Sequence, residues 1–127
     1  MKEIEDKKLN KPNPGDDVIV TTLGTGSALP SKYRNVSATL IQTSSGNILL
    51  DTGEGTFGQL GRRFGERCRN TVPIKENEDA WSVLKNIRII YISHVHADHH
   101  IGLAKLLKLR AQVRVILYLH LLINLYF

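Results

Sequence analysis

Three observations predict an α/β layered fold. β-Branched apolar runs end at glycine or an acidic residue, amphipathic helical spacings lie between them, and one run is nearly continuously apolar, as in a strand buried within a sheet. The 127 residues suffice for one small core and not for two full domains. Hydrophobic residues at 42% and charged residues at 23% are ordinary globular values, which sets aside disordered, collagen-like and coiled-coil classes. Lys and Arg number 17 against 12 Asp and Glu, a formal charge of +5 that leans toward polyanions and decides nothing alone. Cys68 is the single cysteine, so an internal disulfide and a cysteine-built zinc cage are excluded. Metal chemistry here has to use histidine and carboxylate.

Residues 1–16 carry charges of both signs with Pro12, Pro14 and Gly15, and read as a tail or linker without a secretory signal. The simplest compartment is a reducing, intracellular one. The folded part is expected over 17–127. Val18 to Leu23 is β-branched and ends at Gly24, a strand entering a turn. A dinucleotide fingerprint needs a third glycine where Leu29 stands, and no Gly-Lys-Ser/Thr follows, so Rossmann and P-loop readings are rejected. Ser37 to Thr43 and Asn47 to Asp51, joined by Ser44-Ser45-Gly46, predict an antiparallel hairpin that leaves Asp51 at a strand end.

Thr56 as N-cap, Phe57, Leu60 and Phe64 at helical spacing, and Gly65 as the stop predict the next helix. Gly58 and Gly61 weaken it and are expected to admit another backbone. Residues 66–79 read as a polar loop, Trp81 and Leu84 as a short helix. Ile87 to Ile92 reads as a strand buried on both faces, and Ile101 to Gln112 as a helix. Residues 113–127 are apolar but shorter than the roughly 20 residues a membrane span requires, so a buried strand is expected and no membrane is implied. That run stops without a polar cap, the pattern of a truncated domain.

Four of the five histidines lie in His94-Val95-His96-Ala97-Asp98-His99-His100, directly after the predicted strand. On an extended or turning backbone His94 and His96 project to one side and can share an ion. Asp98 and His99, at the turn into the next helix, can face a second. Two such ions would hold and deprotonate a water and clamp phosphodiester oxygens, and imidazole with carboxylate suits Zn²⁺ or Mn²⁺. His100 reads as a bystander, and His120 between Leu119 and Leu121 as a core histidine.

The HxHxDH pattern after a buried strand resembles the metallo-β-lactamase superfamily. Leu23-Gly-Thr-Gly-Ser-Ala-Leu-Pro30 followed by Ser31-Lys32-Tyr33-Arg34-Asn35, then Leu49-Leu50-Asp51-Thr52-Gly53-Glu54-Gly55-Thr56, narrows the resemblance to the ribonuclease Z family of tRNA 3′-processing endonucleases. The wording is most similar to the catalytic domain of the long eukaryotic form. The resemblance implies an αββα sandwich truncated here to its first half, a two-zinc phosphodiesterase site, pre-tRNA as substrate, a homodimer when complete, and nucleus or mitochondrion as the compartment. It assigns His94, His96, Asp98 and His99 to metal, with Asp98 also in catalysis, and Lys32, Arg34 and Asn35 to substrate.

Each assigned role has a physical reading. Lys32 and Arg34 supply cations for backbone phosphates, and Asn35 hydrogen-bonds a base or fixes the loop. Asp51 is expected to accept a hydrogen bond from a metal-binding histidine, and Glu54 to cap the following helix. The family's later motifs, which supply a third His, a bridging Asp, a final His and a His/Glu pair, have no counterpart here. Four candidate donors fall short of about three per ion. Two rivals therefore stand beside an incomplete, inactive enzyme: a non-catalytic RNA-binding or interaction module, and a small-molecule hydrolase of the same superfamily. The Ser31–Asn35 segment weighs against the latter.

Overall fold

The computed structural model describes residues 18–65, 78–112 and 120–123, the last in backbone only. The charged leader and most of the apolar terminus lie outside these residues. In chain order the elements are β1 (Ile19–Gly24), β2 (Ala38–Thr43), β3 (Gly46–Leu50), α1 (Thr56–Phe64), α2 (Ala80–Asn86), β4 (Ile87–Ile92), α3 (Ala97–His100), α4 (Leu103–Gln112) and β5 (His120–Ile123). The strands form one sheet in the order β1-β2-β3-β4-β5. β1, β2 and β3 pair antiparallel, while β4 and β5 join in parallel. One long loop and one tight turn thus build the antiparallel half, and two helical crossovers build the parallel half.

Strand alternation sorts the side chains onto two faces. Leu40 pairs with Leu49 and Leu49 with Ile90, so these three lie in one row and are fully buried. Leu60 and Phe64 of α1, Val83 and Leu84 of α2, and Leu106 of α4 close over that row to form the core. Polar ties fix the helical layer in register. Asn47 Nδ2 donates to the Val83 carbonyl at 3.1 Å, and Gln42 Nε2 donates to Glu78 Oε1 at 2.7 Å. A capping box starts α2: the Ser82 amide donates to Asp79 Oδ1, and the Asp79 amide donates to Ser82 Oγ. These bonds, led by the one from the Ser82 amide, hold the Asp79 carboxyl below its ordinary pKa.

The opposite face carries the row Val20, Ile41, Ile48 and Ile89, set side by side by the strand register. Val20 is 62% and Ile89 37% exposed, so β4 is not buried on both faces as its apolar run predicts. The register shift between Asn47 and Ile48 places Ile87, Ile90 and Ile92 toward the core and turns Arg88 and Ile89 outward. A sheet layered with helices on one face and apolar on the other is the first half of the expected sandwich.

Local details differ from the sequence expectations at α1. Its N-cap is Gly55, at φ 77°, and no side chain caps the helix, so neither Thr56 nor Glu54 performs that task. Thr56 is the first helical residue, and its hydroxyl donates back to the Gly53 carbonyl at 2.7 Å. Gly65 does end the helix, in an extended conformation. Gly58 and Gly61 face open space, with nothing within 4 Å of an added Cβ. Close backbone approach occurs instead at Gly53 and Gly102, where an added Cβ would lie 2.4 Å from the Asp98 carbonyl and 2.2 Å from the Gly53 carbonyl. The helix expected over Ile101 to Gln112 is α4, which begins two residues later at Leu103, and a separate short helix, α3, precedes it over Ala97–His100. His120 pairs with Ile89 in β5.

Leu49→Ala should destabilise the chain by about 2–5 kcal/mol through the cavity it leaves, and Ile89→Ala by much less, because only the former empties the packed layer. Urea unfolding of the two variants checks the contrast, and equal losses would contradict a one-sided core.

Candidate metal centre

The site is assembled at the ends of β3 and β4, where the chain leaves the sheet. Asp51 follows β3 in the left-handed region, at φ 59°, and its amide donates to the Tyr91 carbonyl at 2.7 Å. A non-glycine residue held at positive φ is strained unless its surroundings over-determine it. Four hydrogen bonds do so here. Asp51 Oδ1 accepts from the Ser93 amide at 2.8 Å. Asp51 Oδ2 accepts from Ser93 Oγ at 3.0 Å and Ser37 Oγ at 3.1 Å, and lies 2.6 Å from His99 Nδ1. Burial pushes the Asp51 carboxyl upward in pKa, but the bonds from the Ser93 amide, His99 and the Ser93 hydroxyl outweigh it. The net shift is downward, so the group is a carboxylate at neutral pH.

Donor bookkeeping then fixes the tautomers. With Asp51 ionised, His99 Nδ1 carries the proton it donates, which leaves the lone pair on Nε2. The Ser93 hydroxyl hydrogen is committed to Asp51, so His94 Nδ1, 2.9 Å from Ser93 Oγ, is the donor of that contact. The His94 lone pair is thereby also on Nε2. His94 Nε2 lies 3.0 Å from His96 Nδ1, and the His94 and His99 rings have centroids 4.0 Å apart. Asp98 Oδ2 lies 3.6 Å from His99 Nε2 and accepts from the Ala28 amide at 2.9 Å. That bond is the leading cause of the lowered Asp98 pKa. Ala28 is the second non-glycine residue at positive φ, 64°, so both strained backbones of the described chain flank the cluster.

His94, His96, Asp98 and His99 are thus brought together, while His100 turns away, its Nε2 3.0 Å from the Val95 carbonyl. Imidazole Nε2 atoms and a carboxylate are the right chemistry for Zn²⁺ or Mn²⁺. Among the described residues, however, no group of three or more His, Cys, Asp or Glu is set to hold an ion. His94 Nε2 is turned onto His96 Nδ1, and Asp98 Oδ2 onto the Ala28 amide.

The 30–35 segment is tied to the same end of the sheet. Ser31 and Arg34 close a turn through the Ser31 amide to the Arg34 carbonyl at 2.8 Å and the Arg34 amide to Ser31 Oγ at 3.1 Å. Lys32 and Arg34 are exposed. Asn35 Nδ2 donates to the Glu54 carbonyl at 2.7 Å, so of its two expected uses the loop-fixing one is seen here. Ser37, Ser93 and the Ala28 amide were not marked by the sequence reading. Ser93 alone carried a signal, its position between strand and first histidine.

A sheet with one helical layer, carrying an Asp-anchored histidine cluster at its strand ends, defines a metallo-β-lactamase-type scaffold. The family model described as Anti-Pycsar protein Apyc1 matches residues 18–124, and the chain belongs to that family. It is 50% identical over 99 residues to a mitochondrial tRNase Z of Arabidopsis thaliana, covering 77% of this chain and 10% of that protein. A long-form RNase Z from yeast superposes with TM-score 0.65 at 33% identity, over 89% of this chain and 15% of that one. The metallo-β-lactamase fold protein YhfI of Bacillus subtilis superposes at TM-score 0.56 and 18% identity, over 76% of this chain and 32% of that one, a likeness of fold. The resemblance to ribonuclease Z read from the sequence is borne out. The chain spans about a tenth of the length of the curated relative. The family implies metal dependence. No helix among the described residues is long and apolar enough to cross a membrane.

Because the folded pKa of Asp51 is lowered, its contribution to stability is present above the ordinary carboxylate value of about 3.9 and lost as pH falls through the folded value. A ¹³C titration should place the Asp51 carboxyl midpoint below 3.9. Ser93→Ala should move that midpoint up and weaken the His94 Nδ1–H signal, and an unmoved midpoint would contradict the network.

Proposed function

We propose that the chain is part of the catalytic domain of a zinc-dependent endoribonuclease that removes the 3′ trailer from pre-tRNA by phosphodiester hydrolysis, and that it is inactive alone. One observation carries this reading. Segments 26–35, 51–56 and 93–99 are pinned to one another by the Ala28–Asp98 and Asp51–His99 hydrogen bonds, in a chain half identical to a tRNase Z.

His94 and His96 would hold one ion, and Asp98 and His99 the other, with ligands from outside this chain completing each. Bound zinc supplies a water of lowered pKa and charge for the phosphoryl oxygens. The chain's own groups do the rest. Asp51 and Ser93 orient the histidine rings, and Asp98, held ionised by the Ala28 amide, is the carboxylate of the reaction. Lys32 and Arg34 bind phosphates of the substrate, and Asn35 holds their loop in place. The compartment is the nucleus or mitochondrion, the latter in line with the mitochondrial plant relative, and the complete enzyme is a homodimer. The shortage of donors favours a second reading of the chain by itself, a non-catalytic RNA-binding module.

Purified alone with excess zinc or manganese, the chain should not remove a pre-tRNA trailer, and adding the complementary half should restore turnover. His96→Ala in the restored enzyme should lose most bound zinc by metal analysis together with the activity. Robust cleavage by the chain alone would overturn the incomplete-site reading, and unchanged zinc content in the variant would overturn the ligand assignment. Replacing both Lys32 and Arg34 with Ala should depress pre-tRNA cleavage while sparing a small phosphodiester, because positioning is lost and chemistry is not. Equal loss on both substrates would place these residues in the structure of the site instead.

A further inference from the structure

Helix α3 carries Asp98 and His99 and has little of its own to hold it in place. It is four residues long, none of them buried, and no side chain caps its start. A helix of that length is not stable by itself, because fixing the first turn costs more conformational freedom than its few hydrogen bonds offset. Its position is set by the 51–53 turn after β3. The Thr52 amide donates to the His99 carbonyl at 2.7 Å, and the Gly102 amide donates to the Thr52 carbonyl at 2.9 Å, so one residue grips α3 on either side of its last residue. The turn is itself fixed to the sheet, with the Gly53 amide donating to the Ser37 carbonyl at 2.9 Å.

Such a grip needs bare backbone on both partners. A Cβ at Gly102 would lie 2.2 Å from the Gly53 carbonyl oxygen and 2.9 Å from that of Thr52. One at Gly53 would lie 2.4 Å from the Asp98 carbonyl oxygen and from Val36 Cγ2. A carbonyl oxygen cannot swing aside as the end of a flexible side chain does. Positive φ among the described glycines occurs at Gly46 and Gly55, so what Gly53 and Gly102 need is space and not conformational freedom. Thr52 is fully buried and its hydroxyl has no partner, so the grip is made by its backbone.

We infer that Gly102 is a positioning residue of the histidine cluster: by leaving room for the turn to hold α3 through backbone alone, it fixes where Asp98 and His99 stand relative to Asp51 and His94. The inference rests on the metal-binding reading of that cluster and deepens it. The Asp51–His99 and Ala28–Asp98 bonds orient the two side chains, and the backbone grip sets the distance over which they have to reach. A methyl group at position 102 drives α3 off the turn. Asp98 and His99 then move together, away from the Asp51 carboxylate at 2.6 Å and from the His94 ring, whose centroid lies 4.0 Å from that of His99.

The test uses the 127-residue chain, first without metal and then with added zinc. The His99 Nδ1 proton, held against Asp51, should give a downfield NMR signal that reports the position of α3. Gly102→Ala should keep a cooperative urea transition, shift or erase that signal, and weaken zinc binding about 10–100-fold, as loss of the groups that orient metal ligands does. Gly61→Ala, where an added Cβ meets nothing within 4 Å, and Thr52→Val, which removes an unpartnered hydroxyl, should leave signal and affinity as in the wild type. A folded Gly102→Ala chain with an unmoved His99 signal would overturn the inference. If that variant does not fold, hydrogen exchange of the wild type decides. The Thr52 and Gly102 amides should exchange as slowly as those of β3, and exchange as fast as from an open turn would overturn the grip. A His99 signal moved by Gly102→Ala, in a chain whose imidazole signals ignore zinc, would leave the grip standing and remove the metal reading. Equal zinc affinity of both chains with an unmoved signal would do the reverse.

Discussion

The carboxylate of Asp51 is the constraint on which the described structure turns. It sits at the end of β3 and takes hydrogen bonds from Ser37, Ser93 and His99, residues 14, 42 and 48 positions away in the chain. A single ionised group therefore ties the start of β2, the end of β4 and helix α3 to one point. The price is a non-glycine residue at positive φ, and the four bonds offset it. Because charge-assisted bonds are short and directional, the same group that holds the strands also orients the His99 ring through Nδ1. Structure and chemistry share one residue here.

The core supports this by being one-sided and stiff. Leu40, Leu49 and Ile90 lie in register beneath α1, α2 and α4, so the strand ends that carry Asp51 and Ser93 emerge from a packed row. Gly53 and Gly102 let the 51–56 turn and the start of α4 touch backbone to backbone, with the Thr52 amide bonded to the His99 carbonyl at 2.7 Å and the Gly102 amide to the Thr52 carbonyl at 2.9 Å. The open row of Val20, Ile41, Ile48 and Ile89 shows where a further layer would pack. Among the described residues, the helices pack on one face of the sheet.

The 30–35 turn follows a different logic from the histidine cluster. The cluster is built on strand ends and internal hydrogen bonds, whereas the 30–35 turn is exposed and anchored at its margins by Ser31, Asn35 and the Ala28 amide.

Local chemistry made the motifs legible. Period-two runs gave the strands, the spacing of Phe57, Leu60 and Phe64 gave α1, and the crowding of histidines after an apolar run gave the cluster, because each depends on neighbours within a few positions. Asp51 was readable either as a plain turn residue or as the acceptor for a histidine, and the fold makes it the latter, 2.6 Å from His99 Nδ1. What needed the fold was everything set by contact between distant segments. Gly58 and Gly61 looked like close approaches and face open space, while Gly53 and Gly102 take that part. Ile89 looked buried and is not, because the β3–β4 register turned it outward. Ser37 and Ser93 as partners of Asp51, and the Ala28 amide as partner of Asp98, are invisible in the sequence. Hydrogen bonds and clefts between residues tens of positions apart exist only once the chain has chosen which strands lie side by side.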